Sequence, residues 1–282
     1  MVLGASRPRK IQTVIKPFNI ALGVEYDGSE FSGWQRQVGQ PTIQQVIEEA
    51  LSRVADETVT VLASGRTDAG VHATGQVVSF TTIARRSDDN WLRGANSLLP
   101  RGVRVRWVEP VDAEFHARFS AVARRYMYVL LTSAESPAIL ASQVTWHRGS
   151  LDDESMHRAA QVLEGEHDFS SFRAAGCQSR TARRLIHDVA VRRFEDLVVV
   201  DITANAFLLH MVRNIVGALL CVGSGEREAA WMARLLDLRD RRQAPKTAPA
   251  SGLYLVDVGY PEDYLLPPGR PPPVLRAVRD IW

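Results

Sequence analysis

The sequence predicts an α+β protein built as two tandem βαββαβ domains whose antiparallel sheets flank a central active-site cleft. Three observations predict it. Apolar and polar residues alternate over short runs, amphipathic stretches of helical period separate those runs, and the same order of elements occurs twice in 282 residues. The length suits one large or two medium domains. The expected division is a basic tail at 1–18, one domain at 19–118, a second at 119–262 and a Pro-rich tail at 263–282.

In the first half, Ile20, Leu22, Val24 and Tyr26 alternate into a strand that stops at Asp27-Gly28. Thr42 and Gln45 have capping-box spacing, and Ile43, Val46, Ile47, Ala50, Leu51 and Val54 then share one helical face. Val59, Val61 and Ala63 alternate again. Residues 76–80 read as a strand, 88–99 as a helix stopped by Pro100, and Val103, Val105 and Trp107 as the closing strand. The second half gives a strand at 124–131, a helix at 151–163 with Asp152 or Asp153 near its cap, and a hairpin of 186–193 with 197–204. An apolar helix at 207–222, a further helix at 228–236, a basic loop at 239–251 and a last strand at 253–258 follow. From Pro261 the chain reads as irregular. This is the ferredoxin-like, RNA-recognition-motif-like order, with both helices on one face of each sheet. RNA-binding domains of this topology use the other, free face.

Hydrophobic residues make up 45% and charged residues 23% of the chain, as in ordinary globular proteins. No run approaches the roughly 18 apolar residues of a membrane span, and no apolar stretch follows the basic start, so neither a membrane anchor nor a signal peptide is expected. Cys177 and Cys221 stand alone without metal-ligand spacing, which predicts a reduced, cytoplasmic protein without a metal. The net charge is only +2, yet the cations are nearly all arginine, with Lys10, Lys16 and Lys246 the only lysines. Guanidinium forks suit phosphates and carboxylates, although genomic base composition explains an arginine bias as well.

The most informative stretch is Gly65-Arg66-Thr67-Asp68-Ala69-Gly70-Val71-His72, after the β-type run at 58–64. Glycines admit close backbone approach, and a guanidinium near a carboxylate favours its ionised form. A turn carrying a surface ion pair is the ordinary reading of such a fragment. Gly65 and Gly70 have phosphate-loop spacing, but Val71-His72 stands where Lys-Ser/Thr must follow, and Gly28 to Gly33 fails in the same way. A nucleotide cofactor is therefore not expected, and His72 reads as support for the motif.

Phe115-His116-Ala117-Arg118-Phe119 and Arg124-Arg125-Tyr126-Met127-Tyr128 interleave aromatics with basic side chains, and on a strand Tyr126 and Tyr128 share a face. Aromatics on an open sheet stack nucleobases; ordinary sheet packing explains them too. Arg173, Arg180, Arg183 and Arg184, around Gly176-Cys177-Gln178-Ser179-Arg180, are close enough in sequence to form one phosphate-binding patch. Arg213 lies among Met211, Val212, Ile215 and Val216, and a buried arginine needs an anionic partner, Asp68 being one candidate.

Taken together, these motifs resemble the tRNA pseudouridine synthase A family. The octet does so, as do Glu25-Tyr26-Asp27-Gly28 with Gly33-Trp34-Gln35-Arg36-Gln37, the Phe115 and Arg124 motifs, Asp168-Phe169 with Ser171-Phe172, His210-Met211-Val212-Arg213-Asn214 and Gly252-Leu253-Tyr254-Leu255. The resemblance runs in order from about Ile20 to Tyr260. It implies isomerisation of uridine to pseudouridine at positions 38, 39 and 40 of the tRNA anticodon stem-loop, by a homodimer without cofactor or metal. It implies that Asp68 is the catalytic nucleophile, that Tyr126 stacks on the target base, that Arg66 accompanies the flipped-out base and that Arg213 pairs with Asp68. Leu253 falls at the apolar position against the base, and Arg86, residues 115–119 and residues 176–180 align with tRNA-contacting segments. Thr132 to Ser136 lacks basic residues that some relatives carry.

Moving an attachment from N1 to C5 needs no redox change and no outside atoms, which agrees with a cofactor-free enzyme. The runner-up is a non-catalytic RNA-binding or RNA-chaperone protein on the same scaffold. A glycoside hydrolase expects a second carboxylate, and none is identifiable near Asp68.

Overall fold

A computed structural model describes residues 16–276. Most of the tail expected at 1–18, and the last six residues of the one expected at 263–282, lie outside the described residues. In chain order these form β1 (Phe18–Tyr26), α1 (Ile43–Ala55), β2 (Leu62–Ala63), β3 (His72–Thr82), α2 (Asp88–Leu98) and β4 (Val103–Val111). They continue as β5 (Ala123–Ser133), β6 (Thr145–Arg148), α3 (Asp153–Gln161), β7 (Gly165–Asp168), β8 (Arg183–Phe194), β9 (Leu197–Ala204), α4 (Met211–Gly223), α5 (Trp231–Leu238) and β10 (Leu253–Gly259). No helix among them is long and apolar enough to cross a membrane.

The mixed α/β character is as expected, but the two separate sheets are not. The described residues form a single ten-stranded sheet in the order β4-β1-β3-β10-β5-β9-β8-β7, with β2 on β3 and β6 on β5. The join is β10. It pairs in parallel with β3 through Tyr254 opposite His72 and Leu255 opposite Ala73. On its other edge it runs antiparallel to β5, from Leu253 opposite Tyr128 to Gly259 opposite Ala123. Continuing the ladder satisfies the backbone groups that two free sheet edges would leave open.

The free sheet face needs a second correction. Tyr126, Tyr128 and Leu130 of β5 pack in the same core as the helices, whereas Met127 and Val129 point to the opposite side, as strand alternation requires. There they cluster with Val199, Tyr254 and Val256 under Val144 and Leu275. So apolar a surface is covered by chain rather than left open for RNA. Gly269 lies directly on β10, its amide donating to Asp257 Oδ1 at 2.8 Å. A Cβ at Gly269 would stand 1.8 Å from the Val256 carbonyl oxygen.

α1 forms where its apolar stripe predicts, yet its capping box does not. The Thr42 side chain is buried without a hydrogen-bond partner. The first amides of α1 donate instead to carbonyls of the preceding loop, Ile43 to Gly33 at 3.2 Å and Gln44 to Trp34 at 2.9 Å. The helix thereby fastens the 33–34 loop, whose Trp34 amide in turn holds the Thr67 carbonyl at 2.9 Å.

Candidate active site

Asp68 sits on the loop between β2 and β3, clamped by backbone. The Trp34 amide donates to the Thr67 carbonyl at 2.9 Å, and a Cβ at Gly33 would lie 2.9 Å from that same oxygen. Gly33 has φ +93°, so glycine serves both the turn and the close approach. From below, the Tyr26 hydroxyl lies 2.8 Å from Thr67 Oγ1, and Gln76 Nε2 donates to the Gly65 carbonyl at 2.8 Å. Burial pushes the Tyr26 phenol up to about 12, so it stays a neutral partner at physiological pH. His72 is buried, with Nε2 at 2.7 Å from the Ser142 carbonyl and 3.2 Å from that of Ser251. Its Nδ1 lies near Asp27, whose carboxyl is held well below the usual range, first of all by that imidazole. His72 is thus support for the loop, as expected.

The cation at Asp68 is Arg213, not Arg66. Arg213 belongs to the first turn of α4, rather than to the middle of a helix beginning at 207. Its NH1 donates to Asp68 Oδ2 at 3.3 Å and its Nε to the Ala248 carbonyl at 2.8 Å. Arg66 is exposed and has no hydrogen bond or ion pair among the described residues. Thr67 turns inward between them, so two residues of separation along this loop do not bring the side chains together. His210 is not marked as a site residue by its sequence, yet its Nε2 lies 3.3 Å from the same Oδ2. The signal is present in its spacing: His210 and Arg213 are three apart, on one side of a helix start.

Tyr126 closes the site from β5. It is 8% exposed and stands edge-on to Phe207, ring centroids 5.0 Å apart. Burial first, then the neighbouring Tyr26 and Asp68, push its phenol above the ordinary tyrosine range. Its hydroxyl has no hydrogen-bond partner among the described residues. Leu253, 5% exposed, packs in the same core, one strand over and opposite Tyr128. Tyr128 itself is structural, fully buried with its hydroxyl donating to the Pro249 carbonyl at 2.8 Å.

The remaining predicted residues divide. Phe115 and Ala117 are buried, Phe115 against Tyr260 and Tyr264, and the Ala117 carbonyl accepts from the Tyr260 hydroxyl at 2.7 Å. Arg118 and Phe119 face outward, and the His116 ring lies tilted against Phe119 with centroids 4.4 Å apart. Arg124, part of the basic-aromatic motif, ties these loops together. It donates to the carbonyls of Ser64, Arg118, Ala121 and Asn205. Gly176 (φ +80°), Gln178 and Arg180 form an exposed loop, organised from within by Arg173, which donates to the carbonyls of Cys177 and Ser179. The expected arginine patch is only partial, because Arg183 pairs with Glu166 at 2.8 Å. Arg86 is remote. It donates to the Val54 carbonyl at the far end of α1, about 17 Å along the helix from the end that meets the 33–34 loop.

The arrangement is a single carboxylate gripped at one oxygen by two nitrogen side chains, beside a buried phenol, with the unpaired Arg66 on the same loop. Among the described residues Asp68 is the one carboxylate paired with Arg213 or His210. Such a site offers one carboxylate rather than an acid and base pair. The family model for tRNA pseudouridine synthase matches residues 23–120 and 159–261. Similar proteins include the tRNA pseudouridine synthase A of Shewanella sediminis, 56% identical over 88% of this chain and 95% of the relative. That of Cronobacter sakazakii is 56% identical over 90% and 93%, and that of Pseudoalteromonas atlantica 52% identical over 92% and 98%. The chain belongs to the tRNA pseudouridine synthase family, whose members are isomerases.

Proposed function

We propose that this protein isomerises uridine to pseudouridine at positions 38, 39 and 40 of the tRNA anticodon stem-loop, with Asp68 as the catalytic carboxylate. One observation carries the reading: Arg213 and His210 both approach Asp68 Oδ2, and Oδ1 has no partner among the described residues. Oδ1 is then the oxygen that attacks C1′ or removes a proton at C2′. The N1–C1′ bond breaks, the base turns in the site, the C5–C1′ bond forms, and the proton on C5 is lost while N1 gains one.

In this reading the base lies between Tyr126 and Leu253 while Arg66, free of internal partners, takes the place the base leaves in the stem. Extrusion costs roughly a few kcal/mol, offset by stacking and phosphate contacts. Arg118, Phe119, residues 176–180 and the distant Arg86 would touch other parts of the tRNA, as a substrate far larger than the site requires. We read 19–118 and 119–262 as two ferredoxin-like units fused through β10, and the working form as a cytoplasmic homodimer. Support for the units is strand order: β4-β1-β3-β2 in the first half and β10-β5-β9-β8 in the second, the same permutation of four strands.

Asp68→Asn tests the reading. Pseudouridine in an unmodified tRNA transcript should fall to background while tRNA binding stays within a few-fold of the parent. Retained turnover would sink the assignment of Asp68. Binding without isomerisation by the unaltered protein would favour the RNA-chaperone alternative.

A further inference from the structure

We infer that His210 is a positioning residue for Asp68, acting with Arg213 to fix the carboxylate by Oδ2 so that Oδ1 alone meets the ribose. This rests on the function proposed above. The imidazole is one-third exposed, and its Nε2 lies 3.3 Å from Oδ2. Its Nδ1 has no partner among the described residues. Contacts of catalytic groups are commonly long in a free enzyme and tighten around substrate.

The backbone supports a role beyond helix capping. His210 has φ +59°, a left-handed conformation that costs a residue with a Cβ some stability, and its side chain makes no capping hydrogen bond. The turn is held from both sides: the Ala174 amide donates to the Leu209 carbonyl at 3.1 Å and the Asn214 amide to the His210 carbonyl at 2.9 Å. That bracing keeps the strained turn in place, and what the turn achieves is to aim the imidazole at Asp68. One donor would leave the carboxylate free to rotate about its Cβ–Cγ bond. Two donors from different directions on one oxygen remove that freedom, and pre-aligned reacting atoms are worth large factors in rate.

The test uses the full-length protein and a tRNA transcript carrying uridine tritiated at C5, whose label is released on isomerisation. His210→Ala should lower kcat at least about tenfold, the worth of one charge-assisted hydrogen bond, with KM within about twofold. His210→Gln, whose amide reaches the Nε2 position, should restore most of the loss. His210→Asn tolerates the left-handed turn but is too short to reach Oδ2, so it should stay as slow as His210→Ala while melting near the parent. If His210→Ala does not fold, His210→Asn against His210→Gln decides the matter. A kcat within about twofold of the parent in the short variants, a change confined to KM, or a Gln variant no faster than Asn would overturn the inference. Absence of tritium release by the parent protein would instead overturn the proposed function.

Discussion

Arg66 and Arg213 separate at the residue scale what local sequence cannot. By sequence both are candidate partners of one carboxylate, but Arg213 is 16% exposed and engaged by Asp68 and Ala248, whereas Arg66 has no partner among the described residues. Arg213→Ala should therefore cut turnover at least about a hundredfold, because it leaves Asp68 without its guanidinium and the Ala248 carbonyl without its donor. Arg213→Lys should recover little, since one ammonium cannot serve both acceptors with the geometry of the fork. Arg66→Ala should leave stability within about 0.5 kcal/mol of the parent while slowing isomerisation. Thermal melts beside single-turnover assays check the pair. A large fall in melting temperature for Arg66→Ala, or parent-like turnover for Arg213→Ala, would contradict the assignment. Sequence points to Arg213 through its apolar flanks, which demand an anion. It points Arg66 at Asp68 through adjacency, and misses that the intervening Thr67 takes the inward position.

At the scale of elements, α4 and the segment before β10 act as one part. Thr247 Oγ1 donates to Asn214 Oδ1 at 2.7 Å, Arg241 reaches the same oxygen at 3.0 Å, and the Ala248 amide donates to the Arg213 carbonyl at 3.1 Å. Gly217 permits this approach, for a Cβ there would stand 2.3 Å from the Lys246 carbonyl oxygen. Glycine to alanine inside a helix ordinarily stabilises by about 1 kcal/mol. Gly217→Ala should reverse that sign, costing about 1–3 kcal/mol through overpacking, and should lower kcat because the displaced segment carries the carbonyl that orients Arg213. Urea midpoints and turnover measured together check it, and a stabilised variant would refute the coupling. Elements with strong periodicity were legible: α1, α2, the β8–β9 hairpin and β10 fall within a few residues of expectation. β6 and β7 were not, being only four residues each, with little apolar alternation in Thr145-Trp146-His147-Arg148. β2 is shorter than its alternating residues suggest because the amides of Val59 and Val61 donate to Ser52 and Glu48 side chains of α1 instead of to a strand.

Across the whole molecule, the single sheet was illegible because the pairing that makes it joins Tyr254 to His72, far apart in sequence and without a local signature. Asp68 stands out in the sequence through its flanking glycines, but its grip from α4 is long-range in the same way. Phenols packed into the core also give the fold a pH limit. Burial raises Tyr26 to about 12 and pushes Tyr126, Tyr128, Tyr254 and Tyr260 higher still. An unfolded tyrosine loses its proton near 10, so the native state holds these protons after the unfolded state has released them. The stabilisation is therefore complete below about pH 10 and is lost as pH rises toward and through the native values. For Tyr26 alone the two-unit gap corresponds to roughly 3 kcal/mol. The chain has only three lysines to compete with the phenols in that window. Urea midpoints should hold level from pH 8.5 to about 10 and then fall steeply to pH 12, with Tyr26→Phe falling less steeply from a lower starting point, having lost its contact with Thr67. A flat profile across that range would show that the phenols are solvated in the folded protein.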